Sequence, residues 1–222
     1  MSSLVSKADG LKYWESINAD IDGMLGGFGH ITKIDLQGSR NFLAKLGIGQ
    51  KKGLRIAKNA LEGGAGIGRV TEGLLVEVAE HVDVIEPVAK FTAELQGKKG
   101  VRTIFNQGLE DWQPTADIQY DLIWVQWCVG HLTDEQLVAF LERCGVVLSS
   151  GGVIVVKENN STTGEDDFDE VDSNVTREDT RLRALFAAAN LQLVRVELQK
   201  GFPSSGSARL LPVRMYALKR SN

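Results

Sequence analysis

Cysteine is scarce in this 222-residue chain: Cys128 and Cys144 are the only two, and they share no metal-ligand spacing. That excludes a disulfide framework, gives no indication of zinc and predicts a reducing compartment. No apolar run approaches the roughly 18 residues needed to cross a bilayer, so no membrane span is expected. The first 30 residues lack a basic stretch followed by an apolar one, and secretion is not expected either. Cations are not in excess. Lys and Arg number 25 against 29 Asp and Glu, a net charge of −4. That balance argues against broad, phosphate-driven nucleic-acid binding and suits a cationic substrate. Repeats, linkers and low-complexity tracts are missing as well. What remains, 43% hydrophobic and 24% charged, is the composition of one globular domain with an ample core.

What is present is an alternation of strand and helix patterns. Residues 1–20 read as one short helix with Leu11, Trp14 and Ile17 on a shared face. Asp22 to His30 holds four glycines in nine residues and reads as a loop rather than regular structure. Its apolar Met24, Leu25 and Phe28 suggest a lid, since a mere connector would leave them in water. A second helix is expected over Asp35 to Leu46. Strands follow at 54–62, 81–86, 101–106, 120–125, 152–157, 191–198 and 213–219. Helices are expected at 68–79, 87–96, 134–148 and 175–189. Thr133 with Gln136 three residues on forms a capping box for the third of these. Repeated strand–helix units imply a mostly parallel sheet covered on both faces. The last two strands have only the loop 200–211 between them and should pair antiparallel. The expectation is one α/β domain over 1–222, Rossmann-like. Its seven strands end in a reversed hairpin, and residues 1–50 supply N-terminal helices and the lid.

Glu62-Gly63-Gly64-Ala65-Gly66-Ile67-Gly68-Arg69 joins the first strand to the next helix, the context of a nucleotide-type loop. Glu86 ends the following strand, where a carboxylate can accept hydrogen bonds from both ribose hydroxyls. The glycines alone do not separate a dinucleotide from S-adenosylmethionine. The Glu-x-Gly-x-Gly-x-Gly spacing and the reversed hairpin lean toward a methyltransferase. Arg69 is a candidate partner for the methionine carboxylate.

With these residues the chain resembles the protein N-terminal methyltransferases, which methylate the α-amino group of Xaa-Pro-Lys/Arg proteins. The resemblance runs from about Tyr13 to Leu218. It rests on Tyr13-Trp14, Ile21 to Gly27, Gly64 to Arg69, Ile123 to Asp134 (with Gln126-Trp127 and Gly130-His131) and Asp169 to Ser173. It implies S-adenosylmethionine as cofactor, touching Gly64, Gly66, Arg69, Glu86, Leu109, Glu110 and Gln126. It implies a peptide channel lined by Trp14, Met24, Leu25, Gly26, Trp127, His131, Asn159, Asp169, Asp172 and Asn174. It also implies ribosomal or chromatin-associated substrates and a cytoplasmic or nuclear setting. Four positions depart from the family pattern: Glu86 stands for aspartate, Glu110 for glutamine, Gly63 for cysteine and Asn174 for serine. Leu211 falls near a position that is often aromatic.

Methyl transfer needs an uncharged amine, and an α-amino group titrates near 7.7–8.0, so a proton acceptor is required. His131 and Asp172 are both candidates, and the sequence does not divide the role between them. The stretch from Glu165 to Asp172 carries six carboxylates in eight residues and would attract a Lys or Arg at the substrate's third position. Trp14 and Trp127 would offer flat surfaces to a proline ring. The alternative readings are a small-molecule methyltransferase and a non-catalytic reader of basic protein tails.

Overall fold

The computed structural model describes residues 1–115, 117–203 and 210–221. Seven strands form its main sheet: β1 (Ala57–Gly63), β2 (Ala79–Ile85), β3 (Val101–Phe105), β4 (Tyr120–Gln126), β5 (Leu148–Asn159), β8 (Leu191–Leu198) and β9 (Val213–Arg220). They lie in the order β3-β2-β1-β4-β5-β9-β8. The first five are parallel, and β9 runs antiparallel to both β5 and β8. The expected sheet and its reversed hairpin are present. Most of the connection between β8 and β9, residues 204–209, lies outside the described residues.

Side chains alternate along the strands with period two, and each face builds its own core. Ile123 and Val125 of β4 pack with Leu61, Phe140, Leu141 and Tyr216 on one side. Leu122 and Trp124 pack with Ala60, Leu74, Val84 and Val155 on the other. The first core is covered by α5 (Asp134–Val146) and α6 (Asp179–Ala188). The second is covered by α3 (Thr32–Lys45) and by the helix that leaves the glycine loop.

Several elements differ from the sequence expectation. The first 20 residues are not one helix: a tight turn at Ser2–Leu4 precedes α1 (Lys7–Ser16), which ends before Ile17. The glycine-rich segment is not wholly irregular, because α2 (Ile21–Met24) forms under the Asp20 side-chain cap on the Gly23 amide. No regular helix spans 87–96. Val88, Phe91 and Leu95 are buried as that periodicity requires. The backbone instead closes as successive three-residue turns, with Phe91 N–H donating to Val88 O and Leu95 N–H to Thr92 O. The Thr92 hydroxyl bonds back to Ala89 O, competing with an α-helical ladder. The helix expected at 175–189 begins four residues late. Its first part is given over to a hairpin of β6 (Asp167–Asp169) with β7 (Asn174–Thr176). The helix after the glycine loop takes wide turns over Thr71–Leu75 before the regular α4 (Val76–Val78).

The capping box is formed in both directions: Gln136 N–H donates to the Thr133 hydroxyl, and Thr133 N–H to the Gln136 side chain. Thr133→Ala is expected to cost about 1 kcal/mol of stability in urea unfolding at unchanged slope. A loss below about 0.3 kcal/mol would show that α5 is held by packing alone.

Candidate active site

A cavity of roughly 1100 Å³, counted to its open mouth, lies beyond the carboxyl ends of β1, β2 and β4. That is where open parallel sheets receive ligands. Its floor is the loop after β1. Gly64 and Gly66 have φ of +68° and +54°, which side chains rarely adopt. A Cβ on Gly64 would come within 2.6 Å of Cys128, and one on Gly66 within 2.8 Å of Met24 Sδ. The glycines are therefore set by space as well as by dihedral. Gly63 is close-packed too, with Leu109 3.1 Å from where its Cβ would stand.

Two carboxyl groups line the floor. Glu86 is buried, and its oxygens accept from Gly66 N–H and Val88 N–H, each at 2.9 Å. Burial lifts its pKa while those two amides oppose the rise. Glu62 accepts from the Thr71 hydroxyl. Burial pushes it up to about 8, against Thr71 and the Arg69 charge.

Behind the floor lies a polar junction. Asp35, fully buried in α3, pairs with Arg69 Nη1 at 2.7 Å and with Lys157 Nζ at 2.5 Å, and it accepts from Gln126 Nε2 at 3.0 Å. Lys157, equally buried at the end of β5, also donates to Ser39 and to Gln199. Burial alone would raise the Asp35 carboxyl, but Lys157 and Arg69 outweigh it and hold the group below its ordinary range. Arg69 is thus no solvated first-turn cation. Its side chain is 8% exposed and lies 5.4 Å from the Trp127 ring centre. Burial lowers Lys157 to about 8 although Asp35 opposes the fall, so the cation that the junction presents to the cavity is Arg69, which fits an amino-acid carboxylate.

The tip of β4 is strained: Trp127 has φ of +54°, an outlier for a bulky residue. Its ring lies 6.4 Å from Phe202, and its buried indole N–H has no partner among the described residues. His131 follows in the next turn. Its Nε2 accepts from Trp14 Nε1 at 3.0 Å, and burial lowers its pKa although the Ser173 backbone opposes.

Of the residues expected from the sequence, Trp14, Met24, Leu25, Gly64, Gly66, Arg69, Glu86, Leu109, Glu110, Gln126, Trp127 and His131 all line this one cavity. Gly26 is exposed in the glycine-rich segment just after α2. Asp169 and Asn174 face each other across the β6–β7 hairpin, and Asp172 sits in its turn. Asn159 ends β5, paired with Val213. None of these five lines the cavity. The turn reaches the site through α1. The Asp172 carbonyl and His131 Nδ1 lie 3.5 and 3.6 Å from where a Gly10 Cβ would be, and the Asn174 amide covers Gly130. Asp172 is pushed up to about 6 by burial and by the Asp169 charge, and its Oδ1 has no partner among the described residues. Leu211 is exposed; the aromatic neighbour of Trp127 is Phe202. Sequence reasoning missed Asp35, Lys157 and the α1 residues Lys7, Gly10 and Leu11. A carboxylate within the inward stripe Leu36, Ser39, Phe42, Leu43 was the available signal for Asp35.

The sheet, the glycine cradle and the carboxylate closing β2 define an S-adenosylmethionine-dependent methyltransferase of Rossmann-like fold. The family is narrower. Residues 3–219 match the AdoMet dependent proline di-methyltransferases, and the chain belongs to that family. It is 46% identical over 217 residues to alpha N-terminal protein methyltransferase 1 of Schizosaccharomyces pombe, covering 95% of this chain and 94% of that protein. It is 40% identical over 202 residues to the Homo sapiens N-terminal Xaa-Pro-Lys N-methyltransferase 1, covering 86% of each. A solved SAM-dependent methyltransferase from Leishmania major superposes with a TM-score of 0.84 at 35% identity, over 96% of this chain and 82% of that one.

Gly64→Ala should abolish most cofactor affinity, because the new methyl meets Cys128 and the dihedral resists it. Calorimetric titration with S-adenosylhomocysteine is expected to show at least about a tenfold loss, or 1.4 kcal/mol. Wild-type affinity would refute the assigned floor.

Proposed function

We propose that the chain transfers methyl groups from S-adenosylmethionine to the free α-amino group of proteins beginning Xaa-Pro-Lys/Arg, successively until the amine is saturated. The observation that carries this reading is the acidic β6–β7 turn, packed through Gly10 against the aromatic end of the cofactor cavity. The relatives, an alpha N-terminal protein methyltransferase and an N-terminal Xaa-Pro-Lys N-methyltransferase, support the same acceptor class. The cofactor supplies an electrophilic methyl on a sulfonium, so the protein must deliver an aligned, uncharged nitrogen.

Trp14 and Trp127 border the aromatic end and suit a proline ring, whereas Asp169 and its acidic neighbours suit the cation that follows. His131 Nε2 already accepts the Trp14 indole proton, which leaves Nδ1 as the protonated nitrogen. We therefore assign His131 to holding Trp14 and the amine in line. Proton acceptance goes to Asp172, whose free oxygen and elevated pKa suit a base working near neutrality. Asn159 and Asn174 are assigned to the peptide backbone at the rim. The free thiols of Cys128 and Cys144 fit a reducing cytoplasmic or nuclear setting, and ribosomal and chromatin proteins with such termini are the substrates to test.

Free Ser-Pro-Lys peptides should take label from the methyl-labelled cofactor while N-acetylated ones take none. Equal labelling of both, or none of the free peptide, refutes the proposal. The pH dependence follows from two losses of protons. As pH rises, Asp172 loses its proton near 6 and becomes able to accept one, and the α-ammonium loses its own near 7.7–8.0 and becomes uncharged, so kcat/KM should climb through both. Asp172→Asn should lower kcat by about 10²-fold or more and remove the lower step, with S-adenosylhomocysteine affinity unchanged. A variant that keeps the step near 6 would return the base role to another group.

A further inference from the structure

Helix α1 covers the cavity yet is poorly anchored by apolar packing. Ser6, Lys7, Gly10, Leu11 and Trp14 line the pocket, but Gly10 is the helix's only buried residue. Besides the Trp14–His131 bond, polar contacts hold it from three sides. At its start, Ser6 N–H donates to the Ser173 hydroxyl at 2.8 Å. At its end, Lys90 Nζ donates to the carbonyls of Glu15 and Ile17 at 2.6 and 2.7 Å, capping the C-terminus with a cation. Across the cavity, Lys7 Nζ bridges Glu110 Oε1 at 2.7 Å and the Asp111 carboxylate. Bonds to Asp111 and Glu110 raise the Lys7 pKa, so the ammonium is charged throughout the working range.

Glu110 itself lines the cavity, its side chain 15% exposed. A carboxylate there without a partner would bring an uncompensated charge to a pocket whose other acids, Glu62 and Glu86, are already pushed toward their neutral forms by burial. Lys7 supplies the missing countercharge from a different element, and in doing so ties the roof to the loop after β3. We infer that Lys7 is a positioning residue for the cofactor. It neutralises Glu110, fixes that side chain at the pocket wall and draws α1 over the bound ligand. Its contribution is ionic and therefore screened by salt. The inference concerns cofactor retention and stands apart from the identity of the acceptor.

The test is S-adenosylhomocysteine affinity by calorimetry for the full chain, at about 50 mM and about 1 M NaCl, roughly 14 and 3 Å of screening length. Lys7→Ala should weaken binding roughly three- to tenfold at low salt. Lys7→Arg should keep it, and wild type and Lys7→Ala should converge at high salt. The charge exchange Lys7→Glu with Glu110→Lys should recover part of the loss. Hydrogen exchange of the ligand-free protein should rise over Lys7–Ser16 in Lys7→Ala. It should not rise in Lys12→Ala, which removes a cation from the same helix. Lys7→Ala binding at wild-type strength in low salt overturns the inference. So does a loss that persists unchanged at high salt, or one that Lys7→Arg shares.

Discussion

The carboxylate of Asp35 is the contact on which the site's geometry depends. It is fully buried and takes Lys157 from β5, Arg69 from the glycine loop and Gln126 from the tip of β4. Withdrawing three charged groups from water is expensive, and only close, multiply bonded pairing offsets the cost. The consequence is rigidity at a chosen place. Four separately folded pieces of chain (α3, the loop after β1, β4 and β5) cannot shift against one another without exposing or orphaning a charge. Through Arg69 the same cluster reaches the cofactor pocket and the Trp127 ring, so the strained end of β4 is braced from below.

The site divides into a fixed floor and a lightly held roof. Glycines, buried carboxyls and the Asp35 junction make the floor, and none can be altered without a steric or desolvation penalty. Above it, α1 and the glycine-rich segment around α2 rest on exposed or half-exposed polar contacts, the class of interaction that opens at least cost. Such an arrangement suits a protein that must exchange both a cofactor and a chain terminus through one mouth. The burial that lifts Glu62 to about 8 and Asp172 to about 6 also means that protons around the cavity are set by packing as much as by neighbouring charge.

The sheet was legible because its strands are apolar runs with turn residues between them, and the reversed hairpin followed from a missing helix. Gln126-Trp127 was legible because it sits at the end of a strand, where ligands gather, and His131 through the family motif that contains them. The segment 87–96 misled because its apolar spacing suits a helix and equally suits successive tight turns; the Thr92 back-bond decides between them, and no periodicity reports it. The β6–β7 hairpin hid within a charge run. Its alternation, Asp167-Phe168-Asp169 and Asn174-Val175-Thr176, is only three residues a side, too short to outweigh a solvated loop. Asp35 showed only as a carboxylate on a buried stripe and Lys157 not at all, because the role of each appears when the other is brought to it across 122 positions. Lys7 and Glu110, 103 apart, are the same case at the roof.

The most direct trial of the account is a crystal structure with S-adenosylhomocysteine and a Ser-Pro-Lys peptide bound together. The peptide's first nitrogen should point at the sulfur beyond the end of β4, its proline ring between Trp14 and Trp127, and its lysine toward the Asp169–Asp172 turn. A peptide bound with its terminal amine in solvent, or with the lysine side chain directed at the sulfur, would contradict it.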